Sequence, residues 1–206
     1  MEERKRLPAI EDALLQLHES PTVDYKEAFA WNEKDKEQAC EIVKDLIAFA
    51  NSAGGFIFIG VKELPDHSFE HTGMSDEQLH TWEQTRVANF AERHVQPRLS
   101  FTMRTYPYNE MRFVVIQVQP FTDLPHLCVR ECTGVVREIT LYVRNEKNES
   151  APVRTPDDVS RIIERALRNR SDRLLESVHT ILRGADITPV VRDKEQFRQQ
   201  LSEIEL

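Results

Sequence analysis

The chain has 206 residues, 40% of them hydrophobic and 30% charged, with a formal net charge of −8. That size and composition allow a buried core in one domain, or in one domain with an appendage, and the acidic balance argues against a surface coated in lysine. No apolar run approaches the roughly 18 residues that a spanning helix needs, and the terminal stretch MEERKR has no apolar segment of the secretory kind. The expected setting is therefore the cytoplasm, with no membrane partner.

In chain order, Ile10, Ala13, Leu14 and Leu17 give a short helical pattern that ends at His18–Pro21. Thr22–Ala28 reads as a strand with Asp24 and Lys26 on one face and Val23 and Tyr25 on the other. Trp31–Asp35 is read as a polar connection. Ala39, Ile42, Val43, Leu46, Ile47 and Ala50 recur at helical spacing, which predicts an amphipathic helix over Lys36–Ala53. Gly54 and Gly55 end it, and Phe56–Val61 follows as a short buried strand that delivers Lys62, Glu63 and Asp66 to a sheet edge. Leu64–Gly73 is a loop. Ser75 and Gln78 form a capping-box pattern that opens a helix to about His94.

Leu99–Tyr106 and Met111–Val118 read as a hairpin, the second strand apolar enough to be central. Leu127–Arg130 and Glu138–Val143 read as two shorter strands joined through Thr133–Gly134. Thr155, with Pro156 behind it, caps a long helix whose apolar period runs to Gly184 and is interrupted at the polar stretch Arg168–Arg173. Phe197, Leu201 and Ile204 suggest one more amphipathic turn. The fold class is α+β: a mixed sheet flanked by helices over residues 9–168, then a helical extension over 169–206. That extension reads as an oligomerisation segment or as a link to further sequence.

Charge is unevenly placed. Residues 1–92 hold 9 Lys and Arg against 19 Asp and Glu, whereas 93–183 hold 15 against 11, and 14 of those 15 are arginine. Arg98, Arg104, Arg112, Arg130, Arg137, Arg144 and Arg154 fall on or beside strands. If several share a face they form a groove for a phosphate backbone, with Tyr106, Tyr108 and Tyr142 available to stack on bases. The plain alternative is surface pairing with nearby carboxylates, and strand packing for the tyrosines. Cys40, Cys128 and Cys132 have no C-x2-C spacing and predict neither a disulfide framework nor a zinc site. No phosphate loop of known type and no Ser-His-Asp arrangement is present.

Three separated segments carry a resemblance. IAFANSAGGFIFIGVKE, the opening Glu19 to Lys26, and Leu141–Arg144 followed by Ala151–Val159 resemble the Schlafen-type AlbA domain, described as a nucleic-acid-binding domain. The resemblance implies nucleic-acid binding, with RNA or single strands preferred. It also implies an alternative, a Mg²⁺- or Mn²⁺-dependent endoribonuclease whose opening carboxylates are Glu19 and Asp24. The third acid of that family's set falls on Lys62, so Glu63 or Asp66 would have to complete the site, with Lys26 steadying a phosphate. Lys62 also offers a competing outcome, its ammonium neutralising Glu19 and Asp24 where a cation would sit. A third possibility is an assembly module acting through its helical tail as a homo-oligomer.

Overall fold

The computed structural model describes residues 10–132 and 134–184. In chain order the elements are α1 (Ile10–Gln16), β1 (Val23–Lys26), α2 (Lys36–Asn51), β2 (Gly55–Ile59), β3 (Val61–Glu63), β4 (Phe69–His71), α3 (Asp76–Thr81), α4 (Gln84–Glu92), β5 (Val95–Gln96), β6 (Phe101–Tyr108), β7 (Met111–Val118), β8 (Leu127–Cys128), β9 (Tyr142–Arg144), β10 (Ser150–Pro152) and α5 (Pro156–Gly184). By internal contacts the chain divides into two units, Met1–Ala166 and Leu167–Leu206.

The first unit is built on a mixed four-stranded sheet in the order β1-β2-β7-β6, with β1 parallel to β2 and the other pairs antiparallel. Alternation sorts its side chains onto two faces. Ile57, Ile59, Val114, Ile116 and Val118 join the cluster built on α2, which also takes residues of α4. Val23, Tyr25, Phe56, Phe58, Phe113 and Val115 join the cluster built on α1. The fold class is thus the expected α+β arrangement: mixed sheet, flanking helices and a C-terminal helix.

α2 is the centre of the unit. Every residue from Asp45 to Asn51 is buried, because β9 and β10 pack on this helix as well as the sheet. Leu46 and Phe49 are fully enclosed, and truncating either to Ala would cost about 2–5 kcal/mol. Gly55, at φ +154°, brings β2 against the preceding strand. A Cβ there would lie 2.3 Å from the Thr22 carbonyl oxygen and 2.6 Å from the Phe49 ring.

Several expectations change. The helix predicted from Ser75 to His94 is two helices, with the capping box present on α3. Trp82 sits between them in extended conformation, buried against Phe29 and Trp31 and donating its indole N–H to the Phe29 carbonyl at 2.9 Å. Burying that ring outweighs continuing the helix. The predicted Leu64–Gly73 loop contains β4, paired with β3. Gly60, at φ +112°, separates β2 from β3 where one strand was expected. β8 pairs with β5 and β9 with β10, so the two short strands expected to be joined meet only at the Cys128–Thr140 bridge.

Trp31 belongs to the core and not to a polar connection. Cys40 and Cys132 form a disulfide with Cα atoms 5.7 Å apart, which the spacing did not predict, and Cys128 is a buried free thiol. α5 runs unbroken through Arg168–Arg173. Within the first unit its Ile162 packs with Phe121 and Val143. In the second unit Leu174, Leu175 and Val178 are exposed. Phe197, Leu201 and Ile204 lie outside the described residues. No helix among the described residues is long and apolar enough to cross a membrane.

Candidate functional site

The two β1 side chains expected on one face, Asp24 and Lys26, both point at α2. There they meet Asp45, an acid on the buried stripe of the helix. Lys26 Nζ lies 2.8 Å from Asp24 Oδ2 and 3.1 Å from Asp45 Oδ2. From the other side, Arg144 at the end of β9 donates Nη1–H to Asp24 Oδ1 at 3.0 Å. The side chains of Asp24, Asp45 and Arg144 are 6%, 3% and 1% exposed, and that of Lys26 is 30% exposed. Two carboxylates and two cations make a neutral network, the arrangement that buried charge requires.

Arg144 is held at many points. Its Nη1 also reaches Ser150 Oγ at 3.3 Å and its Nη2 the Ser20 carbonyl at 3.4 Å. Its guanidinium lies 4.6 Å from the centre of the Phe49 ring, and its backbone N–H donates to Ser52 Oγ at 2.9 Å. The neighbouring Asn51 clamps the same region. Its amide donates to the carbonyls of His126 (2.8 Å) and Tyr142 (3.0 Å), and its Oδ1 accepts from the His126 N–H (2.7 Å). The end of α2 thus latches two later segments.

Electrostatics follow from the geometry. Burial pushes the Asp24 carboxyl up and Asp45 adds to this, while Lys26 and Arg144 oppose it. Burial works against the Lys26 charge, but Asp45 and Asp24 outweigh burial and hold Lys26 well above an ordinary lysine. Glu19, half-buried nearby, is raised by burial and then by Asp24, against Arg144 and Lys26.

The remaining candidates are elsewhere. Lys62 pairs with Glu27 at 3.2 Å, so the expectation that it neutralises Asp24 is corrected: Lys26 does so, being on the strand itself. Glu63 accepts from His67 at 2.7 Å on the surface. Asp66 is fully exposed, bonded to the Ser68 N–H (3.1 Å) and hydroxyl (2.6 Å), which lower its pKa. A divalent cation would need several of these oxygens to converge. Asp24, Glu63 and Asp66 are each engaged with other partners, and among the described residues no three His, Cys, Asp or Glu are placed to hold a metal ion. As placed, this donor set does not fit Mg²⁺ or Mn²⁺.

The arginines do not share one face. Register places Arg104 opposite Val115 and Arg112 opposite Pro107, so they project from opposite sides of the sheet. Arg112 pairs with Asp76, and Arg98 with Glu92 at 2.6 Å. Arg130, Arg137 and Arg154 are exposed. Arg144 is interior and not a surface contact. Tyr142 is core, its hydroxyl accepting from the Arg137 N–H at 2.8 Å.

Arg104, Tyr106 and Tyr108 do form a row on one face of edge strand β6. The Arg104 guanidinium is 5.9 Å from the Tyr106 ring centre, Tyr106 donates to Glu11 at 2.9 Å, and Tyr108 lies 5.3 Å from the His71 ring.

The sequence reading missed Asp45 and Asn51. Asp45 was legible as a lone charge on the Ile42–Phe49 stripe. Asn51 carried no signal, because its partners are residues 75 and 91 positions away.

Among solved structures, a Corynebacterium diphtheriae protein is similar at 16% identity and a TM-score of 0.42, covering 65% of this chain and 25% of its own. The N-terminal domain of a Nitrosomonas europaea protein described as related to the RecG ATP-dependent DNA helicase is similar at 21% identity and a TM-score of 0.39, covering 53% and 69%. This chain therefore spans only a quarter of the Corynebacterium protein. The curated proteins gave no match. The profile of the Schlafen, AlbA_2 family matches residues 19–153. A match over well more than half of the sequence, from the opening Glu19 past the β9–β10 hairpin, makes this chain a member of the Schlafen AlbA_2 family.

Proposed function

We propose that this chain binds nucleic acid, RNA or single strands in preference to duplex, without cutting it. The observation that carries the reading is the β6 row of Arg104, Tyr106 and Tyr108. Half-exposed aromatic rings at every second strand position, with a guanidinium beside them, offer stacking surfaces to unpaired bases and a cation to the adjoining phosphate. Family membership supports the same reading. The neutral Asp24–Lys26–Asp45–Arg144 network supports binding without hydrolysis, since each cation occupies a carboxylate that a metal would need.

The test is binding of a labelled single-stranded RNA, a duplex of the same sequence and a tRNA. Tyr108→Ala should weaken single-strand binding by about 1–3 kcal/mol, the usual loss for one stacked base. Arg104→Ala should lower the salt slope by about one unit. Equal affinity of both variants and the wild type removes the β6 face from the site.

The endoribonuclease alternative has one observation in its favour. Glu19 is a half-buried carboxyl with a raised pKa close to Asp24, and it has no side-chain ion pair among the described residues. RNA cleavage in Mn²⁺ that is lost in Glu19→Gln would promote it over the binding reading.

A further inference from the structure

A cleft of about 240 Å³ opens on the α4 side of the sheet, away from the β6 aromatic row. It is lined by Glu33, Lys36, Phe90, Arg93, His94, Arg130, Glu131 and Cys132. We propose that this cleft binds a terminal phosphomonoester, such as the 5′-phosphate of an oligonucleotide, with Lys36 and Arg130 as its principal donors.

Charge comes first. In a chain of net charge −8, this wall gathers three permanent cations and a histidine against two carboxylates. One of those carboxylates is already used, because Arg93 Nη2 donates to Glu33 at 2.8 Å. Lys36 and Arg130 have no side-chain hydrogen bond or ion pair among the described residues. Set against Glu131, these two leave the cleft one positive charge in excess, and a phosphomonoester, at about −1.5 to −2 at neutral pH, engages both cations more strongly than a singly charged diester does. The arginine fork and the lysine point charge are the two side chains that phosphate sites commonly combine.

Lys36 is the first residue of α2, a helix of 16 residues, so the positive end of that helix dipole lies beside it. The opposite wall is fixed. Phe90 is flanked by Arg93, 5.6 Å from its ring centre, and by His94, whose ring centre lies at 5.1 Å. His94 Nδ1 is 3.1 Å from the Arg130 carbonyl, which ties the arginine's backbone to α4. The disulfide between Cys40 and Cys132 holds the far loop to α2. Phe90 and Cys132, both buried, supply the apolar part of the lining.

The decisive experiment titrates inorganic phosphate into the full chain while following the His94 ring by NMR. A saturable shift is expected, lost in Lys36→Ala/Arg130→Ala and retained in Arg104→Ala. Both replaced side chains are exposed, so the double variant should keep the wild-type melting temperature. No saturable shift, or one that survives in the double variant, overturns the proposal. A 5′-phosphorylated oligonucleotide should bind about tenfold tighter than its 5′-hydroxyl twin, a preference that disappears in the double variant. Equal affinity of the two oligonucleotides overturns it as well. If neither oligonucleotide binds, the nucleic-acid reading above fails, and the phosphate titration still decides this one.

Discussion

Replacing Arg144 should unfold the protein sooner and should not act by removing a phosphate contact. In Arg144→Ala the Asp24 Oδ1 loses its cation inside a site where both side chains are almost completely enclosed. Removing one partner of a buried pair costs about 3–5 kcal/mol, because the remaining charge cannot return to water. Lost stacking over Phe49 at 4.6 Å adds to this, by up to about 2 kcal/mol where the pair is desolvated. Taking about 4 kcal/mol as the working figure, a chain of this size should lose roughly 8–16 °C in melting temperature. Arg144→Lys keeps the charge but loses the fork to Ser150 and Ser20, and should fall between the two. Calorimetry on the three proteins, with RNA binding measured well below each melting temperature, separates the causes. A shift below about 2 °C together with weakened RNA binding would refute the buried-network account and return Arg144 to the surface.

Lys62→Ala should change stability by less than about 0.5 kcal/mol, since an exposed pair with Glu27 is worth little; a large loss in urea melts would mean that Lys62 does reach Asp24. Reduction of the Cys40–Cys132 bond reopens a separation of 92 residues. On the chain-entropy account that is worth about 4–5 kcal/mol, so dithiothreitol should lower the melting temperature of the wild type and leave Cys40→Ser unmoved. An identical melt with and without reductant would show that the bond does not form. His126 has its pKa lowered by burial from an ordinary 6.5, against a hydrogen bond to Pro97. The unfolded chain therefore binds the proton more readily, and stability should be full above that ordinary value and decline as pH falls below it. His126→Gln should flatten this part of the profile, and a wild-type profile that is already flat there would count against it.

How much of this could be read from the chain depends on distance in sequence. The Lys36–Ala53 helix, the glycine turn and the β6–β7 hairpin all rest on local period and turn chemistry, and they stand within a few residues. The opposed faces of β1 were also legible, because strand alternation puts Asp24 and Lys26 together without further information. The partners of that pair were not. Asp45 comes from the next helix and Arg144 from a strand 120 residues on, so no window of sequence contains both. Lys62 looked the natural counter-ion because it follows the central strand directly. Gly60 turns the chain there, and β3 pairs with β4 instead. The arginines misled for the same reason: one on β6 and one on β7 look alike in sequence, while register sends them to opposite faces.

The latch between the end of α2 and β9 also sets where the chain can be cut. Asn51 spends both donors of its side-chain amide on His126 and Tyr142, and Ser52 receives Arg144. A fragment ending after β7 would keep the whole four-stranded sheet, yet it would leave a buried amide without acceptors and two aspartates facing one lysine. Each orphaned polar group costs about 1–3 kcal/mol, enough together to consume most of a small domain's stability. The sheet is therefore complete some thirty residues before the domain is. The smallest piece able to stand alone must run through Pro152, with the hairpin of β9 and β10 serving as the clasp that closes it.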